Sequence, residues 1–246
     1  MAGNRAECGA SREQFAGYQA LACDGDGTLT CRGRMAATTW RALEVLRASG
    51  RRLILATGET LKELADFPHL ALFDRIVAEN GAVLARPGGK ARLLAAPPPE
   101  AFVRDLREHG VRALTLGQVI VSMPRRWERT LHAAIRRADI AWRVVFNRNE
   151  VMALPAEVTK ATGLAAALEE LGLCCDQVVG VGDVENDQAL LRCCGCGAAP
   201  SNAVLTARRC ADLVLPGRGA QGVVNLIHRL LEGDLPAPRR GRRPKH

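Results

Sequence analysis

The sequence predicts an α/β protein: a doubly wound parallel sheet of Rossmann-like topology, with a small α+β domain inserted into it. Three observations predict it. Short apolar runs alternate with helical stretches at both ends of the chain, which builds a parallel sheet covered by helices. In the middle, pairs of neighbouring strands with short connections replace that pattern, and such pairs make antiparallel sheets. Several apolar runs also end in Asp, Thr-Gly or Gly-Asp, at the strand ends where open α/β sheets bind ligands.

Each element follows in order. Tyr18 to Cys23 reads as a buried strand that runs into Asp24-Gly25-Asp26-Gly27-Thr28-Leu29. Met35 to Ser49 has helical spacing and stops at Gly50. Arg52 to Ala56 is a strand ending at Thr57-Gly58, and Arg75 to Ala78, after a Phe/Leu-rich helical segment, is a strand ending at Glu79-Asn80-Gly81. Beyond the Pro and Gly punctuation of residues 87–99, the middle reads as helix 100–109, strands 111–116 and 118–123, helix 125–138, and strands 142–146 and 151–154. Lys160 opens a helix to Leu171, and alternation resumes with strands 177–181, 195–199 and 211–215 between helices, the last of them 220–231. The expected organisation is an N-terminal extension 1–17, a core of 18–85 and 156–233, an inserted domain 86–155, and a basic disordered tail 234–246.

At 246 residues and 48% hydrophobic content the chain can bury a full core, which excludes a peptide-like or disordered protein. The formal charge is +8, but Arg239, Arg240, Arg242, Arg243 and Lys245 sit in the tail, and without those five the body is near +3. Pro and Arg without apolar partners read as a solvated end rather than a nucleic-acid surface. The Arg-rich stretch Arg125, Arg126, Arg129, Arg136 and Arg137 hints at nucleic acid, yet suits an exposed helix face equally. Nucleic acid and membrane are therefore not the expected partners. The nine cysteines have no disulfide spacing, and no apolar stretch is long enough for a leader or a span, so a cytoplasmic location is expected. Cys193, Cys194 and Cys196 are poorly spaced for a metal and read as small buried residues.

The chemistry is concentrated at strand ends. Asp24 and Asp26 give one carboxylate to attack phosphorus and another to move a proton, although Asp and Gly also make plain turns. Thr57 and Gly58 can bind a phosphoryl oxygen at the same edge. Lys160, one of four lysines beside thirty arginines, can pair with an attacking carboxylate and a phosphate together, or be an ordinary surface lysine. Asp183 and Asp187 lie one helical turn apart after an apolar strand and suit Mg²⁺ through hard oxygen donors, although Asp183 alone also suits a helix N-cap.

Taken together, Asp24-Gly25-Asp26-Gly27-Thr28, Thr57-Gly58, Lys160 and Gly182-Asp183 with Asn186-Asp187 resemble, in order, the four elements of the haloacid dehalogenase superfamily of phosphatases. The Asn80-Gly81 turn, the position of the insertion and Ser201-Asn202-Ala203 resemble its branch with a type IIB cap, as in phosphoglycolate and sugar-phosphate phosphatases. The resemblance implies that Asp24 forms an aspartyl-phosphate and that Asp26 protonates the leaving alcohol and then activates water. It implies a Mg²⁺ cofactor held by Asp24, the Asp26 carbonyl and Asp183, with Asp187 orienting its water ligands, and a small phosphorylated metabolite as substrate. Gly58, Asn80 and Asn186 are expected around that substrate, and Arg148, in a turn between cap strands, is the candidate cation for the leaving group. Two positions depart from the pattern: Glu59 where an Arg is frequent, and Gly25 where a larger side chain is usual. The competing expectation is a silent binding or regulatory module on the same fold, associated with nucleic acid through the tail.

Overall fold

The alternation of apolar residues decides how the layers form. The computed structural model describes residues 17–147 and 149–239. In β1 (Ala20–Cys23) and β2 (Arg52–Ala56), Leu21, Cys23, Leu53 and Leu55 join one buried cluster while Ala20, Ala22, Ile54 and Ala56 join another. Successive side chains in a strand point to opposite faces, so these strands are covered on both sides. Helices α1 (Ala37–Ala48) and α6 (Ala220–Glu232) supply Leu43, Leu46, Leu226 and Leu230 to the first face. Helices α4 (Lys160–Leu171) and α5 (Gln188–Cys193) supply Leu164, Leu168 and Leu190 to the second. Each such aliphatic side chain, once buried, contributes about 1.5–3 kcal/mol.

The main sheet contains eight strands. Strands β3 (Arg75–Ala78), β10 (Val178–Val181), β11 (Cys196–Pro200) and β12 (Leu213–Leu215) run parallel to β1 and β2 in the order β12-β11-β10-β1-β2-β3. Two strands that the sequence pattern did not reveal, β4 (Val83–Ala85) and β5 (Arg92–Leu93), extend the sheet in antiparallel fashion. Arg92 and Leu93 fall within the span assigned to the cap, yet they pair with the larger sheet. In β1, Cys23 stands opposite Val181 of β10 and Leu55 of β2, so the residues that follow these strands emerge at one edge.

The cap is a four-stranded antiparallel sheet in the order β6-β7-β9-β8, formed by Thr115–Leu116, Val121–Pro124, Glu150–Pro155 and Trp142–Asn147 respectively. Val121, Met123, Val151 and Ala153 pack on Phe102, Leu106, Leu131 and Ala134 of helices α2 (Glu100–Glu108) and α3 (Glu128–Ala138). Val145, Met152 and Leu154 join the core cluster instead, so the other face of the cap sheet turns toward the core.

Several expected elements differ, each for a local reason. The helical segment before β3 is two short 3-10 turns, Glu63–Asp66 and Leu70–Leu72. Pro68 lies between them, and proline removes a helical donor and disfavours helix at the residue before it. The expected strands 111–116 and 118–123 shrink to β6 and β7 because the N–H groups of Gln118, Val119 and Ile120 donate to Glu79 and not to a ladder. The helix expected from Glu185 begins as a 3-10 turn, Glu185–Asp187, and the one expected from Arg125 likewise, Arg125–Trp127. Residues 234–239, expected in a disordered tail, are tied to the core: Tyr18 donates to the Pro236 carbonyl at 2.9 Å and Arg239 pairs with Asp212 at 2.7 Å. Residues 240–246 of that tail, and 1–16 of the N-terminal extension, lie outside the described residues.

Candidate active site

Four chain segments converge at the C-terminal edge of β1, β2 and β10. Asp24 follows β1 and is buried, its backbone N–H donating to the Val181 carbonyl at 2.9 Å. Thr57 follows β2 and is likewise buried. Lys160 sits in the first turn of α4, which Thr159 caps through reciprocal side-chain to backbone bonds with Thr162 at 3.0 and 2.9 Å. Close packing brings that helix end in: a Cβ on Gly163 would lie 2.5 Å from Val77 Cγ1, and one on Gly81 would lie 1.9 Å from the Thr159 carbonyl oxygen. Glycine at both positions is what lets the start of α4 lie this close to Val77 and to the turn at Gly81.

Lys160 Nζ donates to Asp24 Oδ1 at 2.6 Å and to Asp187 Oδ1 at 2.7 Å, with all three side chains buried. Burial alone would discharge the amine, but the Asp187 and Asp24 carboxylates outweigh it and push the Lys160 pKa above its ordinary range. Lys160 therefore remains a cation, and the cost of burial falls on Asp24. Burial, helped by the charges on Asp187 and Asp183 and opposed by Lys160, raises the Asp24 carboxyl to about 8.

Asp187 is fixed on both sides. Its Oδ2 accepts from the N–H groups of Asp183 and Val184 at 2.9 and 3.0 Å while Oδ1 takes Lys160. This fold-back requires Gly182, where a Cβ would sit 2.3 Å from Asp187 Cγ. Asp183 Oδ1 accepts from the Thr28 hydroxyl at 2.9 Å, a contact the strand-end pattern did not expose. Asp24, Asp183 and Asp187 can each offer one oxygen, with those atoms within 4.8 Å of one another, and they form the one acidic or thiol cluster of metal-binding size among the described residues. Three hard oxygen donors fit Mg²⁺, which takes few protein ligands and keeps several waters. Asp26 stands outside this cluster, exposed, near Thr30 Oγ1 at 3.5 Å.

Gly58, Asn80 and Asn186 come together: Asn186 Nδ2 donates to Asn80 Oδ1 at 2.8 Å, and a Cβ on Gly58 would lie 3.3 Å from the Asn80 amide. Asn186 Oδ1 is buried with no hydrogen-bond partner, an acceptor facing no donor. Asn80 Nδ2 also donates to Met152 Sδ of the cap at 3.0 Å. Thr57 Oγ1 donates to Glu59 Oε2 at 3.1 Å and accepts from the Glu59 N–H at 3.1 Å, so its hydroxyl is engaged by a neighbouring acid. Arg148 lies outside the described residues. Cys193, Cys194 and Cys196 are buried in or beside the core, in line with a packing role. Arg137 of the basic helix face pairs with Asp105 at 2.6 Å, and Arg125 lies over the Phe146 ring at 4.7 Å.

Sequence reasoning missed Glu79. It is fully buried at a left-handed backbone position, φ 52°, and its carboxylate accepts from Gln118, Val119 and Ile120 at 2.8, 2.8 and 3.0 Å. A Cβ on Gly117 would meet Glu79 Oε2 at 2.5 Å. The residue beside Asn80 thus holds a cap loop onto the core.

A buried carboxylate at a strand end, a lysine bridging it to a second carboxylate and a three-carboxylate cluster thus lie at one edge of a doubly wound sheet that carries an antiparallel cap, an arrangement suited to phosphoryl transfer. The haloacid dehalogenase-like hydrolase family model matches residues 124–227. A phosphoglycolate phosphatase of Natronomonas pharaonis is 31% identical over 223 residues, covering 85% of this chain and 96% of that one. One of Aeropyrum pernix is 29% identical over 225 residues, covering 86% and 93%. Among solved structures, a haloacid dehalogenase-like hydrolase from Bacteroides thetaiotaomicron superposes with a TM-score of 0.73 at 18% identity, covering 86% of this chain and 99% of that one. A sugar phosphatase of the superfamily's subclass IIB does so at 0.72 and 18%, covering 88% and 99%. The chain belongs to the haloacid dehalogenase-like hydrolases. Within that family it is a phosphatase.

Proposed function

We propose that the protein is a Mg²⁺-dependent phosphatase that hydrolyses a small phosphate monoester, a sugar phosphate or a phosphoglycolate-like ester, through an aspartyl-phosphate. The observation that carries this reading is the buried Asp24–Lys160–Asp187 bridge beside Asp183. An isolated buried carboxylate is costly, and a lysine shared by two of them holds the nucleophile in one orientation. Asp24 attacks phosphorus, the bond from phosphorus to the leaving oxygen breaks, and Asp26 gives that oxygen a proton. Asp26 then takes a proton from water as the water oxygen attacks phosphorus, and the phosphate leaves Asp24 as a carboxylate again. Asp24, Asp183 and the Asp26 carbonyl would hold the metal, which supplies positive charge against the phosphoryl oxygens. Asp187, engaged by Lys160 and two N–H groups, orients from behind. Thr57 and Gly58 bind the phosphoryl group, and Asn80 and Asn186 line the substrate on the cap side.

The names of the archaeal relatives support a phosphoglycolate-like ester, and the subclass IIB neighbour supports a sugar phosphate. Arg148 is the candidate cap cation for the leaving group. Purified protein incubated with p-nitrophenyl phosphate and Mg²⁺ should release phosphate, and EDTA should stop it. Turnover that survives complete metal removal sinks the reading.

A further inference from the structure

The two positions at which the chain departs from the family pattern meet in space. A Cβ on Gly25 would lie 3.3 Å from Glu59 Oε2, 3.4 Å from the Phe67 ring and 3.5 Å from Thr57 Oγ1. Gly25 is buried and does not have the positive φ that would demand glycine for the backbone. Its missing side chain is therefore what admits the Glu59 carboxylate beside the phosphoryl site, since any branched side chain there would push the carboxylate out.

Glu59 is only partly exposed, and it forms no ion pair among the described residues. Its Oε2 accepts from the Thr57 hydroxyl, and no described group donates to Oε1. Burial raises its pKa and the Thr57 bond opposes this, and Gly25, against which the carboxylate is seated, directly precedes Asp26 in the chain. Asp26 is the group assigned to the leaving oxygen. An under-bonded acceptor on that side of the site favours a leaving group that donates and repels one that carries its own carboxylate.

We propose that Glu59, seated by Gly25, is a specificity-determining residue that selects phosphate monoesters with hydroxyl-bearing leaving groups over carboxylate-bearing ones. The leaving-group hydroxyl donates to Glu59 Oε1. The inference rests on the phosphatase reading above and narrows its substrate to a polyol or sugar phosphate, away from the ester in the archaeal relatives' names.

The test compares kcat/KM for glycerol 3-phosphate and for 2-phosphoglycolate, with p-nitrophenyl phosphate showing whether the enzyme turns over at all. Wild type should favour glycerol 3-phosphate. Glu59→Gln, which keeps shape and loses charge, should lower the ratio of the two at least about tenfold, and Glu59→Arg should invert the preference. A wild type that prefers 2-phosphoglycolate, or a ratio unmoved in both variants, overturns the assignment of Glu59 while leaving the phosphatase reading standing. Failure of wild type to hydrolyse p-nitrophenyl phosphate overturns both.

Discussion

Replacing Glu79 by Ala should unlatch the cap. The carboxylate accepts three backbone N–H bonds, of which those of Val119 and Ile120 belong to fully buried residues, whereas Gln118 is exposed and can turn to water. Two orphaned buried donors at about 1–3 kcal/mol each, and a third exchanged for water at little cost, put the loss at about 2–6 kcal/mol. Alanine gives no backbone relief, because φ at this position is 52° and a Cβ is present either way. Glu79→Gln keeps one acceptor and turns an amide NH₂ toward a donor, so it should lose less, about 1–2 kcal/mol. Urea unfolding gives the total, and amide hydrogen exchange at 118–120 localises it. Alanine that loses under about 1 kcal/mol, with Val119 and Ile120 still protected, would refute the clamp.

Lys160→Met removes the one cation between Asp24 and Asp187, and breaking such a buried pair costs about 3–5 kcal/mol; thermal melts should show it, and a wild-type melting point would contradict the bridge. The same variant should lose at least about a hundredfold in kcat against p-nitrophenyl phosphate, because the nucleophile is no longer held. In metal-free protein the folded state keeps a proton on Asp24, raised to about 8, that the unfolded chain releases near its ordinary carboxylate value. The Asp24 contribution to stability should therefore be whole below its ordinary carboxylate value and be lost, by up to about 1.4 kcal/mol per unit, as pH rises toward 8, with Mg²⁺ flattening the slope; an Asp24→Asn variant with the same metal-free pH dependence of stability as wild type would contradict the burial of Asp24. Arg148→Ala should raise KM for the preferred ester more than for p-nitrophenyl phosphate, and equal effects would remove Arg148 from the leaving-group site.

What the sequence made legible was local. Six parallel strands, their ends and the groups on those ends are encoded in runs of four to ten residues, and period-two burial with a terminal Asp or Gly is readable there. The hidden features depend on distant partners. Strand β5 is two residues long and exists because β4 folds back beside it. Glu79 receives its donors from about forty residues away, and Gly25 and Glu59 look like two unrelated oddities until the chain brings them so close that a Cβ on Gly25 would lie 3.3 Å from Glu59 Oε2. The turn that Glu79 opens carried one clue, an acidic residue directly before Asn80-Gly81 in a strand-ending position, but nothing in its spacing names the loop it holds.

The claim at the centre of this account is that Asp24 is the nucleophile, held by Lys160 at the end of β1. Asp24→Asn preserves size and can still accept from Lys160 Nζ, so the fold should persist while the attacking anion is gone. Measured as kcat for p-nitrophenyl phosphate with Mg²⁺, the account predicts a loss of about a thousandfold or more, with an unchanged circular dichroism spectrum. Retention of more than about a tenth of wild-type kcat by a folded Asp24→Asn variant would contradict it.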